Sequence, residues 1–214
     1  DDLMAFIRFP WEIYREDRHW VPPLIKDQLL KFSSTHPFRS HSEMIFFLAK
    51  KEGKVVGRIA GIVDHNYIEF HQEKIGFFGF FESFQDTQVT KMLFSKIGDW
   101  LKSKGMEKMI GPMNPSTNDE CGLLIEGFDA SPCLMMPYNP RYYPSLLEEF
   151  GLKKAMDLYA YLLEESTFLD DRLERITERI KKRDPQLWVR SIRLRRLEEE
   201  LKIIKEIYNQ AWSR

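Results

Sequence analysis

The stretch from Ile75 to Pro112, "IGFFGFFESFQDTQVTKMLFSKIGDWLKSKGMEKMIGP", restricts the fold more than any other part of the chain. Ile75 to Phe81 is continuously apolar, without alternation, which suits a strand buried on both faces. "FQDT" follows, and Asp86 or Thr87 is placed to cap a helix. Val89, Met92, Leu93, Ile97, Trp100 and Leu101 recur at helical spacing, and Gly105 stops the helix. Lys108 to Ile110 is a short strand. Strand, helix and strand in this order predict a crossover between parallel strands. The fold class is therefore α/β, in an α+β mixed form, with a central sheet flanked by helices. Ligands of such sheets bind beyond the carboxyl ends of the strands. Those ends are Glu82-Ser83 and Gly111-Pro112.

The flanking segments extend the sheet. Met44 to Lys50 and Val55 to Val63, joined by "KKEGK", predict a hairpin. Gly57 and Gly61 within its second strand predict a bulge or the close approach of another group. Met4 to Phe9 reads as a short strand stopped by Pro10, Trp11 to Arg15 as a helical turn or two, and Ile25 to Phe32 as a helix. His65 and His71 fall in a connecting loop. Pro140 to Glu149 reads as a helix ended by Gly151, and Met156 to Leu163 as a strand. Leu169, Leu173, Ile176 and Ile180 form a narrow stripe on a charged helix that stops at Asp184-Pro185. Leu187 to Leu194 is strand-like, and Leu197, Leu201, Ile204, Ile207 and Ala211 mark a final helix. "FIRFPWEIYRE" near the start is echoed by "SIRLRRLEEELKIIKEIYNQAW" at the end. Two readings of the echo stay open: a second copy of the domain begins near residue 186, or a C-terminal extension packs on one domain. The expected divisions are a domain over 1–165, a helical linker over 166–185, and 186–214 as the second-copy start or extension.

Composition excludes several classes. No apolar run reaches the ~18 residues of a membrane span. The N-terminus shows neither a basic nor a long apolar leader segment, and it lacks an initiator Met, as a fragment would. Cys121 and Cys133 are too few for a disulfide framework, so a reducing, cytoplasmic setting is expected. Residues 166–214 carry 13 Lys and Arg against 9 Asp and Glu, an excess too small and too interleaved for a nucleic-acid partner. The histidines (His19, His36, His41, His65, His71) lack metal-ligand spacing, so no metal is expected.

After the crossover comes "GPMNPSTNDECGLLIEGFD", residues 111–129, long and polar at the carboxyl edge of the sheet. A connection of this length and composition suits a pocket wall. Together with "WVPPL", "VVGRIAGIVDH", "GFFGFFE", "MMPYNPRYYPSLLEEFGL" and "KKAMDLYAY" it resembles a bacterial family within the GNAT superfamily of acyl-CoA N-acyltransferases. The strings cover most of residues 5–163. The resemblance implies a GNAT-like sheet and an acyl-CoA co-substrate, acetyl-CoA or longer. It also implies an amine as acceptor, a small molecule or, given the aromatic content, a lipid-like one, and a homodimer is left open. The 14% aromatic content favours a hydrophobic acceptor or a long acyl donor.

The resemblance also directs the choice of site residues. GNAT enzymes hold the donor pyrophosphate on a glycine-rich turn at a helix N-terminus. Here the turn is Phe84-Gln85-Asp86-Thr87-Gln88-Val89-Thr90, without glycine. Phe81, Ser83, Thr87 and Gln88 are the candidates for donor binding. In the Asn, Tyr, Gly-Phe landmark of that superfamily, Asn139 and Gly151-Leu152 fit the frame, Leu147 replaces the tyrosine, and Tyr142 and Tyr143 lie a turn earlier. Acyl transfer to an amine needs a base and an acid. Glu82 is the candidate base and Tyr143 the candidate acid. Asn114, Ser116, Asn118, Glu120, Asn139 and Tyr142 are candidates for contacting substrate, and Asp119 and Glu120 are second choices as base. The plainer roles also stand: Glu82 capping nearby amides, Asn and Ser satisfying their own loop, tyrosines packing with a wet hydroxyl. Loss of the glycines leaves a non-catalytic GNAT-like binding module as the alternative to an enzyme.

Overall fold

The computed structural model describes residues 2–164, 171–184, 186 and 190–212. The chain forms two compact units, Asp1–Leu158 and Tyr159–Arg214. The first opens with helices α1 (Asp2–Arg8), α2 (Pro10–Ile13) and α3 (Ile25–Phe32) and a 3-10 turn at Pro37–Ser40. Strands β1 (Ser42–Lys51) and β2 (Lys54–Asp64) follow, then α4 (His65–His71), β3 (Ile75–Ser83), α5 (Thr87–Ser103) and β4 (Lys108–Ile110). A small hairpin of β5 (Met113–Asn114) and β6 (Glu120–Cys121) precedes α6 (Tyr143–Phe150).

The sheet has the order β1-β2-β3-β4. The first three strands are antiparallel and β4 runs parallel to β3 through the α5 crossover. β3 is buried along almost its whole length because helices cover both faces. On one face Phe78 and Phe81 pack with Phe94 and Ile97 of α5 and Leu146 of α6. On the other, Phe80 packs with Phe6 and Ile7 of α1 and Phe32 of α3. Asp86 caps α5, accepting from Gln88 N–H at 2.9 Å and Val89 N–H at 3.3 Å.

An irregularity in β3 sets the side-chain directions at its end. Arg58 pairs with Glu82 and Ala60 with Gly79, so two residues advance on β2 while three advance on β3. The extra residue is a bulge, marked by Phe80 with φ 51°. Simple alternation would place Glu82 on the α5 face with Phe78. The bulge moves Phe81 to that face and turns Glu82 to the opposite one, where α1 lies. Phe80 N–H donates to Asn114 Oδ1 at 2.7 Å, which ties the bulge to the polar 111–129 stretch. The glycine expectation for β2 holds by close approach: a Cβ at Gly57 would stand 2.9 Å from Leu93 and Val89 of α5.

Expectations for three segments before residue 164 are corrected. Residues 4–9 are helical, not a strand: α1 ends at Arg8, and Phe9 N–H still donates to Ala5 C=O at 3.1 Å. β propensity yields to packing here, since the helix seats Phe6 edge-on against Phe32 and Phe46. His65 and His71 bound a helix, not a loop; Asp64 caps it by accepting from Asn66 N–H at 3.0 Å. Residues 156–163 form no strand, and Met156, Leu158, Tyr161 and Leu162 are exposed.

The second unit holds α7 (Asp171–Arg183), a 3-10 turn at Leu194–Arg196 and α8 (Leu197–Trp212). Leu169, Pro185 and residues 187–189 lie outside the described residues, as does the side chain of Leu173. Residues 190–193 are not a strand. Arg190 and Arg193 both donate to the buried Glu200, at 2.5 and 2.8 Å, and side chains three apart would point to opposite faces of a strand.

Two glycines give a contrasting test of the close-packed β3 edge. A Cβ at Gly79 would lie 1.7 Å from the Met113 carbonyl oxygen, whereas one at Gly98 on α5 meets nothing within 4 Å. Gly79→Ala is expected to destabilise by about 3 kcal/mol or more, and Gly98→Ala to stabilise by about 0.5–1 kcal/mol, read by urea denaturation.

Candidate active site

Glu82 stands next to last in β3, its side chain 13% exposed. A carboxylate so placed needs partners. Its Oε2 accepts from the Tyr143 hydroxyl at 2.6 Å and the Tyr14 hydroxyl at 3.0 Å. Arg58 Nη2 lies 3.7 Å from Oε1. Tyr143 is delivered by the first turn of α6, and its oxygen also accepts from the Ser83 N–H at 2.9 Å. The Tyr142 hydroxyl donates to the Ser83 carbonyl at 2.8 Å. Both backbone groups of the last β3 residue are thus held by Tyr143, the first residue of α6, and by Tyr142 just before it. Tyr14 follows α2, stacks on Trp20 at 4.8 Å and is buried. Beside it Tyr138 donates to Asp17 at 2.7 Å.

Burial governs the electrostatics. It pushes the Glu82 carboxyl above its ordinary value; Arg58, Tyr143 and Tyr14 oppose the rise, while the charge on Glu120 adds to it. Burial and the Glu82 charge hold Tyr14 and Tyr143 well above the usual phenol range, and push Tyr142 up to about 12. At neutral pH these tyrosines are neutral donors. A carboxylate with raised proton affinity beside neutral phenols is equipped to accept a proton from a substrate.

The remaining sequence candidates are distributed differently. Phe81 packs its ring against Phe94 and Tyr143, and the Ser83 hydroxyl donates to the Phe84 carbonyl at 2.8 Å. Thr87 donates to Glu149 at 2.8 Å and Gln88 gives its N–H to Asp86, so the α5 N-terminus is closed by acidic side chains. Ser116 donates to Asp119 at 2.8 Å and accepts from Asn118 N–H at 3.2 Å. Asn139, buried, accepts from Leu124 N–H at 2.7 Å and donates to the Leu124 carbonyl at 3.2 Å. Asn114 serves the bulge and, through its carbonyl, Lys31 at 3.0 Å; Lys31 also pairs with Asp119 at 3.2 Å. These polar groups organise the 111–139 connection. The cluster itself joins Glu82, Tyr143, Tyr142, Ser83 and Phe81, with Glu120 close enough to bear on the Glu82 charge.

Sequence reasoning missed Arg58 and Tyr14. Arg58 carried a signal, a lone charge within the apolar run "VVGRIAGIV", which demands a buried partner. Tyr14 carried none, because its contact with Glu82 spans 68 residues. Among the described residues, no group of three His, Cys, Asp or Glu could hold a metal ion, and no helix is long and apolar enough to cross a membrane. Cys121 is half-buried and Cys133 exposed, and both are free thiols.

No family model matches the chain. Among solved structures, the chain is similar to an aminoglycoside acetyltransferase, meta-AAC0020, from an uncultured soil metagenomic sample, crystallised with trehalose and with sisomicin. The TM-score is 0.44 at 13% identity, covering 76% of this chain and 89% of that one. Among curated proteins, it is 36% identical over 213 residues to "Protein YghO" of Escherichia coli (strain K12), covering 99% of this chain and 54% of the relative. It is 34% identical over 215 residues to "Bacterial ceramide synthase" of Caulobacter vibrioides (strain NA1000 / CB15N), covering 99% of this chain and 55% of the relative. The chain therefore spans about half the length of these relatives.

Two outcomes follow from the buried cluster. Tyr143→Phe leaves the buried Ser83 N–H without its acceptor and should destabilise by about 1–3 kcal/mol in urea titrations. The second concerns pH. A carboxyl raised on folding stabilises the fold below its ordinary value of 4.5, and that contribution is lost as pH rises through the folded value. Wild type should thus be more stable relative to Glu82→Gln at pH 4 than at pH 7. The opposite slope would mean that its partners outweigh burial.

Proposed function

We propose that this chain carries the GNAT-like part of an acyl-CoA-dependent N-acyltransferase that forms an amide on a hydrophobic, lipid-like amine. The observation that carries the reading is Glu82, a part-buried carboxylate fixed by two tyrosine hydroxyls at the carboxyl end of the central strand. In this reading Glu82 takes the proton of the acceptor amine, directly or through one water. The amine nitrogen attacks the thioester carbonyl, the C–S bond breaks and the thiolate leaves. Tyr143, kept a neutral phenol, is the acid nearest the base. The relative named a ceramide synthase supports the substrate class. A ceramide is a long-chain amino alcohol joined to a fatty acyl group through an amide. A long acyl-CoA and a long-chain amine are therefore the donor and acceptor to try first.

A specific observation favours a second reading, a binding module without catalysis. The N-terminus of α5, where the resemblance would put the donor pyrophosphate, is capped by the Asp86 carboxylate. A phosphate there would meet a like charge.

The full-length protein incubated with palmitoyl-CoA and sphinganine separates the two. The enzyme reading expects an N-acyl product by mass spectrometry, with kcat lowered about 10²–10⁴-fold in Glu82→Gln. It also expects palmitoyl-CoA, at a hundredfold excess over its Kd, to stabilise the fold by about 2.7 kcal/mol. Stabilisation without product, in this and a panel of other amines, would favour the binding module.

A further inference from the structure

The acyl-transfer scheme gives Arg58 no task, yet the fold goes to some length to hold it. A cation in the middle of a buried strand is costly unless paired. Arg58 lies between the buried Gly57 and Ile59 in β2 and directly opposes Glu82 in the strand register. Its Nη1 donates to the Phe6 carbonyl at 2.7 Å, and the guanidinium sits 4.9 Å over the Phe6 ring. Its Nε has no hydrogen-bond partner among the described residues. Nη2 approaches Glu82 Oε1 to 3.7 Å, a charge contact too long for a hydrogen bond. Helix α1 therefore aims the guanidinium, and the guanidinium presents its charge to the carboxylate oxygen that the tyrosines leave alone.

We propose that Arg58 is the positioning residue for Glu82, holding it as the anion from the opposite strand so that Oε1 accepts the proton of the amine. This rests on the acyl-transfer reading for its purpose, though not for its test. Glu82 is faced by Arg58 from β2, Tyr143 from α6 and Tyr142 just before it, Tyr14 after α2, and Glu120 from β6. The tyrosines are neutral and Glu120 carries the same charge as Glu82. Arg58 is the cation of the group, and burial without it would drive Glu82 toward the neutral acid, which cannot act as a base. In the transfer the proton passes from nitrogen to Oε1 while the N–C bond forms and the C–S bond breaks. The departing thiolate takes its proton from solvent.

Isotope-edited infrared titration of the full-length protein tests this directly, with the Glu82 carboxyl band assigned by its loss in Glu82→Gln. Wild type is expected to show a carboxylate band at pH 7. Arg58→Gln keeps a polar side chain and removes the charge, and should move the titration midpoint up by about one pH unit or more. Arg58→Lys, which keeps the charge, should leave the midpoint near wild type. A protonated Glu82 at pH 7 in wild type overturns the proposal without need of any variant. So does an unchanged midpoint in Arg58→Gln, or equal shifts in both variants, which would mark a purely structural role. Turnover of palmitoyl-CoA and sphinganine that survives Glu82→Gln would instead overturn the base assignment, leaving the infrared result to decide on Arg58.

Discussion

A carboxylate taken out of water at the end of a central strand cannot stand alone, and much of the first unit follows from that constraint. The β3 bulge at Phe80 turns Glu82 away from the α5 face and toward α1. Once there it meets Arg58 across the strand pair, Tyr14 from the segment after α2, and Tyr143 from α6. Elements from both ends of the unit converge on one side chain. The tyrosines satisfy its hydrogen bonds, the arginine supplies charge, and burial sets its appetite for a proton.

The polar 111–129 stretch is tied into the fold at definite points. Asn114 accepts from the Phe80 N–H and so secures the bulge that directs Glu82. Close packing of β3 on this stretch leaves no room for a side chain at Gly79. Ser116, Asn118 and Asn139 close hydrogen bonds within the connection itself. Glu120 is the residue of the stretch whose charge reaches the cluster. The segment thereby bears on the candidate site through Asn114 and Glu120.

The crossover was legible because each part of it is local. The apolar run of β3, the Asp86 cap and the periodic stripe of α5 agree with one another, and β4 follows within a few residues. Glu82 and Tyr143 were legible as chemistry-bearing residues near strand and helix ends. The bulge was not, because Phe80 gives no hint of a positive φ; its cause is tertiary, an Asn carbonyl placed opposite its N–H. "FIRF" was misread for a similar reason, since packing against Phe32 and Phe46 outweighs the β preference of its residues. "MDLYAYLL" has the composition of a strand, yet residues 156–163 form none and several of their large side chains are exposed; nothing in the fold explains that difference.

The proposed account makes Glu82 the base, working from a pocket that raises its proton affinity. The pH dependence of kcat/KM for amide formation by the full-length protein tests that claim most directly. The account predicts an acid limb on which the rate climbs as Glu82 ionises, with a midpoint above the ordinary carboxyl value of 4.5 and equal to the infrared titration of the same residue. A rate independent of pH across that range, or a limb that persists unchanged in Glu82→Gln, would contradict it.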